Sequence, residues 1–519
     1  MTVVLVLLLG SVALAAAAYA SGGRTQTAHD AGTPQPGGTL KVGMQPGNGQ
    51  YDPVLMDGAT GDIILVSQVQ EPLVELAQDF STQPMLATAW STPDGGKTWS
   101  LTLRDGVKFS NGQPFTSADV LYSFDRLRSE ELGSPMAGVY ANIKSVVADD
   151  ATHVTFNLDS PDSEFMASLT DFRAKMLCKT IADPMTELVG TGPFMLESYA
   201  ARDRAILVKN PLYWGVDAQA SQLPYFDEVD FIYSPNTAGQ IVSLEGGSLN
   251  WVGGLSSKQK QTVEGDPNLK TITTLSNLCF ELQIRCDVGP GKKLAFRQAL
   301  MAGTDLAALV DVADPGVAVP GNGTLVGPGY KADYLSTTVP YDPAKAKKLL
   351  AKAGYRRGVK FELVAETSAP IPAFATAWRA QMKKIGVTVS VKKVSPDVYY
   401  GDKGTDTWYK APFGIVGWAT RAVPITYFQL ALATHAPWNY SRWSNAQFDK
   451  LCTQIPLTTD AAQRAQLYKQ AQEILQKNVP MINFGVLLGV AGESANVDGI
   501  ELSPNWANTV FRTGYFTEQ

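Results

Sequence analysis

Histidine is scarce in this sequence. Of 519 residues three are histidine, namely His29, His153 and His435. A Ser-His-Asp triad or a histidine-based metal site would have to use His153 or His435, and neither sits in a recognisable motif. No G-x-S-x-G elbow and no H-E-x-x-H helix occurs, which argues against a secreted hydrolase. Cysteine is also rare: Cys178, Cys279, Cys286 and Cys452 include no C-x-x-C pair, which argues against redox or zinc chemistry. Cys279 and Cys286 would bridge if the chain turned between them, Cys178 and Cys452 would then be free and buried, and three full pairings remain open. No Lys/Arg-rich run exists, and Lys+Arg 43 against Asp+Glu 49 leaves a net charge of −6. A nucleic-acid groove needs a basic stripe, so that class falls away.

What the chain does have is apolar content. Apolar residues make up 45% and charged residues 18%, enough to bury large cores in two or three domains. Residues 3–20 (VVLVLLLGSVALAAAAYA) are almost wholly apolar and end in small residues at Ala18, Ala20 and Ser21. This pattern is that of a signal peptide, 1–20, although a stretch of this length also suits an uncleaved anchor. No cysteine precedes Cys178, so a lipid attachment site is not expected. Residues 21–36 are rich in Ser, Gly, Thr, Pro and Gln and read as a flexible tether. With no second apolar run of spanning length, the expectation is a soluble chain outside the cytoplasm, in the periplasm or at the outer face of the membrane.

The remainder alternates short strands and helices, which favours a mixed α/β fold. A strand is predicted over residues 38–44 and a helix over 62–76, which Pro72 should kink or end. Trp99, Leu101 and Leu103 alternate with polar residues, the period of a half-buried strand. Asn111-Gly112 marks a tight turn, and Thr116 with Asp119 forms a capping box for a helix to about Arg128. Residues 153–158 alternate as another strand, with His153 most simply facing solvent. Strands follow at 227–233, 359–365 and 387–391. Helices are expected at 237–249, from 292, at 342–353 with Gly354 beyond the end, at 378–385 and at 459–478. Residues 320–330 carry too much Gly and Pro for regular structure.

Several stretches resemble one family. The run LRDGVKFSNGQPFTSADV at 103–120 is similar, nearly position by position, to the signature of the extracytoplasmic solute-binding proteins of peptide-type ABC importers, family 5, the oligopeptide, dipeptide and nickel class. GGTL at 37–40, YDP at 51–53, EPL at 71–73, LATAW at 86–90, GTGPF at 190–194, NPLYW at 210–214, RQAL at 297–300, YDPAKAKKLL at 341–350 and GW at 417–418 follow in the family's order. The resemblance implies an α/β, two-lobed periplasmic-binding-protein fold of the class II type, with an inserted subdomain and a hinge. It places lobe I at 37–79, 190–275 and 481–519, the insert at 80–189 and lobe II at 276–480. It implies no catalysis and no cofactor or metal. The expected partners are a peptide or small-molecule ligand and the permease and ATPase subunits of an importer, with the chain itself a monomer.

By the same resemblance, extended backbone at Val54, Leu55 and Met56 and at Gly417, Trp418, Ala419 and Thr420 would clamp the ligand like added strands. Relatives that bind peptides usually carry an Asp three residues after the Trp to hold the ligand's ammonium; here that position is Arg421, which reverses the charge and favours an anionic group. An internal acid is an equal alternative partner for it. Aromatics are dense from Tyr399 to Trp443. They fill the core and rim of a lobe, or they wall a pocket in which Trp408, Trp418 and Tyr427 contact an apolar or aromatic ligand. A nickel chelate would favour a cleft histidine, and His435 is the candidate. A sensor or chaperone using the same cleft would read alike in sequence.

Overall fold

The computed structural model describes residues 34–47, 49–56, 61–401 and 407–517; the expected signal peptide and all but the last residues of the expected tether lie outside them. Alternation settles the first strands. In Thr98–Leu103, Trp99, Leu101 and Leu103 point inward while Ser100 is exposed, as a half-buried strand requires. This strand pairs antiparallel with Ala87–Ser91 and with His153–Leu158, which pairs in turn with Ile143–Ala148. The helix Ser117–Leu127 begins at Thr116, whose backbone N–H donates to Asp119 Oδ2 at 2.9 Å in a complete capping box. Phe109, Phe124, Phe156 and Phe165 close the core of this unit. At the expected tight turn, Gly112 takes φ 84°, and its N–H donates to the Phe109 carbonyl at 2.8 Å.

A separate sheet of 11 strands runs through the rest of the described residues. Its order begins Val387–Val394, Val359–Glu366, Phe413–Trp418, then Leu269–Ile284, Met481–Ser494 and Trp251–Gly253. Thr39–Met44, Glu228–Tyr233, Arg204–Lys209 and Phe194–Ala200 complete the path, and Ala318–Val319 pairs onto Met481–Ser494. The two long central strands are antiparallel. Their register runs unbroken from Leu269 opposite Ser494 to Leu275 opposite Leu488, then breaks, and resumes at Cys279 opposite Val486. Three residues, 276–278, thus face the single position 487. Extra residues on one side of a ladder bend the strand and increase its twist. One half of the pair carries Trp251–Gly253 at its edge, and the other half carries Phe413–Trp418. The two long strands are therefore the two crossings between lobes, and separate apolar cores lie on either side of the break.

Several expectations need correction. The predicted helix over 62–76 ends at Val69, because Pro72 cannot donate to a helix and the residues before it turn extended (Gln70 at φ −111°, ψ 136°). Val74–Leu76 is instead a strand paired with Thr82–Pro84. The helix expected over 237–249 stops at Glu245, where Gly246 caps it and Gly247 takes φ 71°. All four cysteines are free; Cys279 and Cys286 stay apart because the chain runs straight between them instead of turning.

The helix Ser117–Leu127 is tied to the segment 52–54 by a buried carboxylate. Asp52 is fully buried, accepts from the Val54 N–H at 3.0 Å, and pairs with the Arg126 guanidinium on the insert's helix. Asp52→Ala removes a cap and strands a largely buried cation, so a loss of about 2–4 kcal/mol is expected. The urea midpoint measures it, and an unchanged midpoint contradicts the tie.

Candidate functional site

The break between the crossing strands sets one wall of the site. Asn277, in the bulge, is fully buried; its Nδ2 donates to the Leu325 carbonyl and to the Tyr427 hydroxyl, both at 3.0 Å. Its backbone N–H donates to Thr420 Oγ1 at 3.1 Å. The Tyr427 hydroxyl also accepts from the Arg421 N–H at 3.0 Å and lies 3.0 Å from the Ala419 carbonyl, to which it donates. Tyr330 donates to the Arg421 carbonyl. Burial pushes the Tyr427 hydroxyl up to about 12, so it stays protonated and can keep donating. One phenol thus holds the loop 419–421 in place beyond the end of strand Phe413–Trp418.

The sequence-predicted residues divide into wall and backing. Gly417, Thr420 and Arg421 are half-buried and Ala419 is exposed, so these four form the accessible edge. Trp418 is 3% exposed and Tyr427 0%, so both back the wall from inside. Trp408 is half-buried, its ring 4.7 Å from that of Tyr440. The Arg421 Nε is buried with no hydrogen-bond partner, and no carboxylate pairs with this side chain among the described residues. On the lobe I side, Val54 to Met56 do not form the extended clamp expected. Pro53–Leu55 is a 3-10 turn capped by Asp52, and the Leu55 and Met56 N–H groups bond back to Asp52 and Pro53. The Met56 carbonyl accepts from Arg173 Nε at 2.9 Å. With these groups engaged inside the lobe, strand addition there is unavailable; Leu55 remains half-buried and Met56 is buried.

The sequence reading did not single out Asn277, Glu281, Gln283 or Tyr330, while Tyr399 belongs to the aromatic cluster it noted. The signal was present: in LCFELQI, Glu281 and Gln283 fall two apart within an apolar run and so share one face of a strand. His435 is exposed on a turn at φ 63°, and no cluster of three or more metal-ligating side chains occurs among the described residues.

A seam joins the segment around Ser163 and Glu164 to the helices Ala446–Leu457 and Ala461–Asn478. The Ser163 N–H donates to the Pro456 carbonyl at 2.7 Å, the Tyr468 hydroxyl donates to Glu164, and Arg464 Nε lies 3.5 Å from Glu164 Oε1. A cavity of about 270 Å³ opens beside this contact, lined by Tyr140, Glu164 and Val139 from the insert and by Val423, Ile425 and Gln429 from lobe II. A second contact joins Phe80 to Tyr330, rings 4.9 Å apart, with Lys331 Nζ 3.3 Å from Asp79. The arrangement is a hollow between two lobes, walled by hydrogen-bonding and aromatic groups.

Comparison with known proteins agrees with this geometry. The profile described as Bacterial extracellular solute-binding proteins, family 5 Middle, matches residues 81–440. The chain belongs to this family. The glutathione-binding protein GsiB of Salmonella paratyphi A is 26% identical over 459 residues, covering 83% of this chain and 86% of that protein. The periplasmic binding protein DppA from Helicobacter pylori, solved with the peptide STSA, superposes with a TM-score of 0.74 at 25% identity, covering 93% of this chain and 99% of that one. AppA from Bacillus subtilis, solved with a nonapeptide, shares the fold with a TM-score of 0.74 at 20% identity over 94% and 100% of the chains. The two-lobed fold read from the sequence is thereby established, and the chain is the substrate-binding receptor of an ABC importer. Its relatives are binding proteins, and members of the family act outside the cell or in the periplasm.

The seam is expected to respond to pH. Burial raises the Glu164 carboxyl to about 7, against the opposing pull of Tyr468 and Arg464; Asp333 and Asp162 add to the rise. When the lobes part, water returns and the group reverts towards its ordinary carboxylate range. Closure therefore takes up a proton, so it is favoured in acid and weakens as pH rises through about 7. Energy transfer between dyes on the two lobes should report more open protein at pH 8 than at pH 5. Glu164→Gln should flatten that dependence.

Proposed function

We propose that this receptor captures a peptide or peptide-like small molecule between its lobes, with an anionic group of the ligand meeting Arg421, and releases it unaltered to a membrane permease. The observation that carries the reading is the guanidinium of Arg421. It stands where peptide-binding relatives usually carry an acid, two residues before Val423 in the wall of the inter-lobe cavity, and its Nε has no partner. A half-buried guanidinium with an unused donor favours a carboxylate or a similar acceptor. The glutathione and peptides named for relatives support the ligand class, since each offers carboxylates and amides.

In this reading Gly417, Ala419, Thr420 and Arg421 touch the ligand, with Leu55 and Trp408 at the edges. Met56, Trp418 and Tyr427 position them. The lobe limits 37–79 with 190–275 and 481–519, the insert 80–189 and lobe II 276–480 belong to the same proposal, with hinge motion at the bulge 276–278. So do the monomeric state, the partnership with permease and ATPase subunits, an exported location, and the absence of any catalysed reaction.

Native mass spectrometry of protein purified from its host should show a co-purifying mass, and adding that compound to ligand-free protein should raise the melting temperature, because it binds the folded form alone. Arg421→Asp should weaken an anionic ligand by more than tenfold. Unchanged affinity removes Arg421 from the site.

A further inference from the structure

Behind the accessible edge of lobe II lies a set of polar atoms with nothing to bond. Glu281 and Gln283 point to one face of strand Leu269–Ile284 and are 2% and 1% exposed. Glu281 Oε1 accepts from Trp418 Nε1 at 3.1 Å, while Oε2 has no partner. Gln283 donates its Nε2 to the Trp408 carbonyl, while its Oε1 has no partner. The Tyr399 hydroxyl, on a fully buried ring, is likewise unpartnered. These groups converge: at Gly414, on the adjoining strand, a Cβ would lie 2.5 Å from the Tyr399 hydroxyl and 3.1 Å from Gln283 Nε2.

Aromatic rings enclose them. Trp408 and Tyr440 meet edge-on at 4.7 Å, Tyr440 and Trp418 lie 6.3 Å apart, and Tyr400 sits 6.2 Å from Trp408. Tyr400 is exposed and its hydroxyl is 3.4 Å from the Gly417 N–H, so the box opens beside the ligand-facing edge. An unmet buried acceptor costs about 1–3 kcal/mol, and in native proteins it marks water, an ion or a ligand group. Two acceptors, one of them a carboxyl, within a ring of π faces complement a cation rich in N–H donors.

We infer that this box is a subsite for a cationic group of the ligand, an ammonium or guanidinium side chain, with Glu281 as its counter-charge. The inference rests on the receptor reading above and adds the charge of the ligand part that enters lobe II. The groups facing the box are consistent with it. Cys279 lies on the same strand, Tyr399 and Tyr400 come from the segment Pro396–Tyr400, Tyr440 from the turn before the helix Ala446–Leu457, and Glu366 from the strand Val359–Glu366 acts on Tyr399 and Tyr400. None is a cation, and the influences on Glu281 are burial and the Trp418 bond alone. Burial raises its carboxyl to about 8, so at neutral pH the empty box holds a proton. A bound cation favours the ionised form, expels that proton, and binds more tightly as pH rises towards 8.

Calorimetry with tri-lysine, tri-alanine and agmatine, the last a guanidinium without a peptide backbone, tests this. Titrations run from pH 6 to 9 in two buffers of different ionisation enthalpy. Tri-lysine should bind at least tenfold more tightly than tri-alanine, release a proton near pH 7, and lose at least tenfold in Glu281→Gln. Tri-alanine should change less than twofold in that variant. Gln283→Met, which removes the second acceptor without touching the carboxyl, should cost tri-lysine threefold or more. Agmatine binding that vanishes in Glu281→Gln supports the subsite even where no peptide binds, an outcome that would instead end the peptide reading. Tri-lysine binding no tighter than tri-alanine, affinity indifferent to Glu281→Gln, or silence from every cationic probe overturns the inference.

Discussion

Two antiparallel strands that change lobes part-way carry the rest of this molecule. Leu269–Ile284 and Met481–Ser494 pair along almost their whole length, yet the pairing slips where residues 276–278 face one partner. A continuous ladder would lock the two halves of the sheet as one rigid plane. A bulge keeps the halves joined while loosening the hydrogen bonds at one place. Separate apolar cores lie on either side of that place, which suits the proposed hinge motion of two packed bodies about the crossing.

That same bulge supports the wall of the proposed binding region. Asn277 satisfies the loop 419–421 from within the crossing, and the Tyr427 phenol distributes its bonds among the Ala419, Arg421 and Asn277 backbones and side chains. In the proposed reading, hinge and ligand wall are thus mechanically one object. A ligand that holds the wall acts on the crossing strands, and opening the crossing disturbs the wall. Contacts at the seam between Glu164 and the pair Tyr468 and Arg464 close the far side. Buried carboxyls recur at both points, Glu164 at the seam and Glu281 beneath the aromatic box, each kept from ionising by loss of water. Carboxyls held in this way can respond to pH near neutrality in a protein with scarcely any histidine.

Local signals in the sequence were dependable where one side chain serves one neighbour. The capping box at Thr116, the turn at Gly112 and the alternation at Trp99 depend on contacts within a few residues, and each appears as the pattern requires. The family signature at 103–120 falls in such a segment. Failures came where a distant partner decided. Residues 74–76 followed an apolar helical rhythm but became a strand after Pro72. The Val54–Met56 backbone was expected to be free for a ligand, but Asp52 and Arg173 had already taken it. In the strand from Leu269 the alternation of Glu281 and Gln283 marks a strand face, but only the facing strands show that this face is buried.

The amino-acid order alone determined the mixed α/β class and, through the run at 103–120 and its companion stretches, the resemblance to the solute-binding family, since motif spacing and periodicity are properties of neighbours along the chain. It also supplied Arg421 as the reversal of an expected charge. Only the tertiary structure decided where the crossing bends, that Trp418 and Tyr427 stand behind the wall instead of on it, and that Glu281, Gln283 and Tyr399 converge with unmet polar atoms. Burial and hydrogen-bond satisfaction are set by what packs against a residue from elsewhere in the chain, and that information has no local signature.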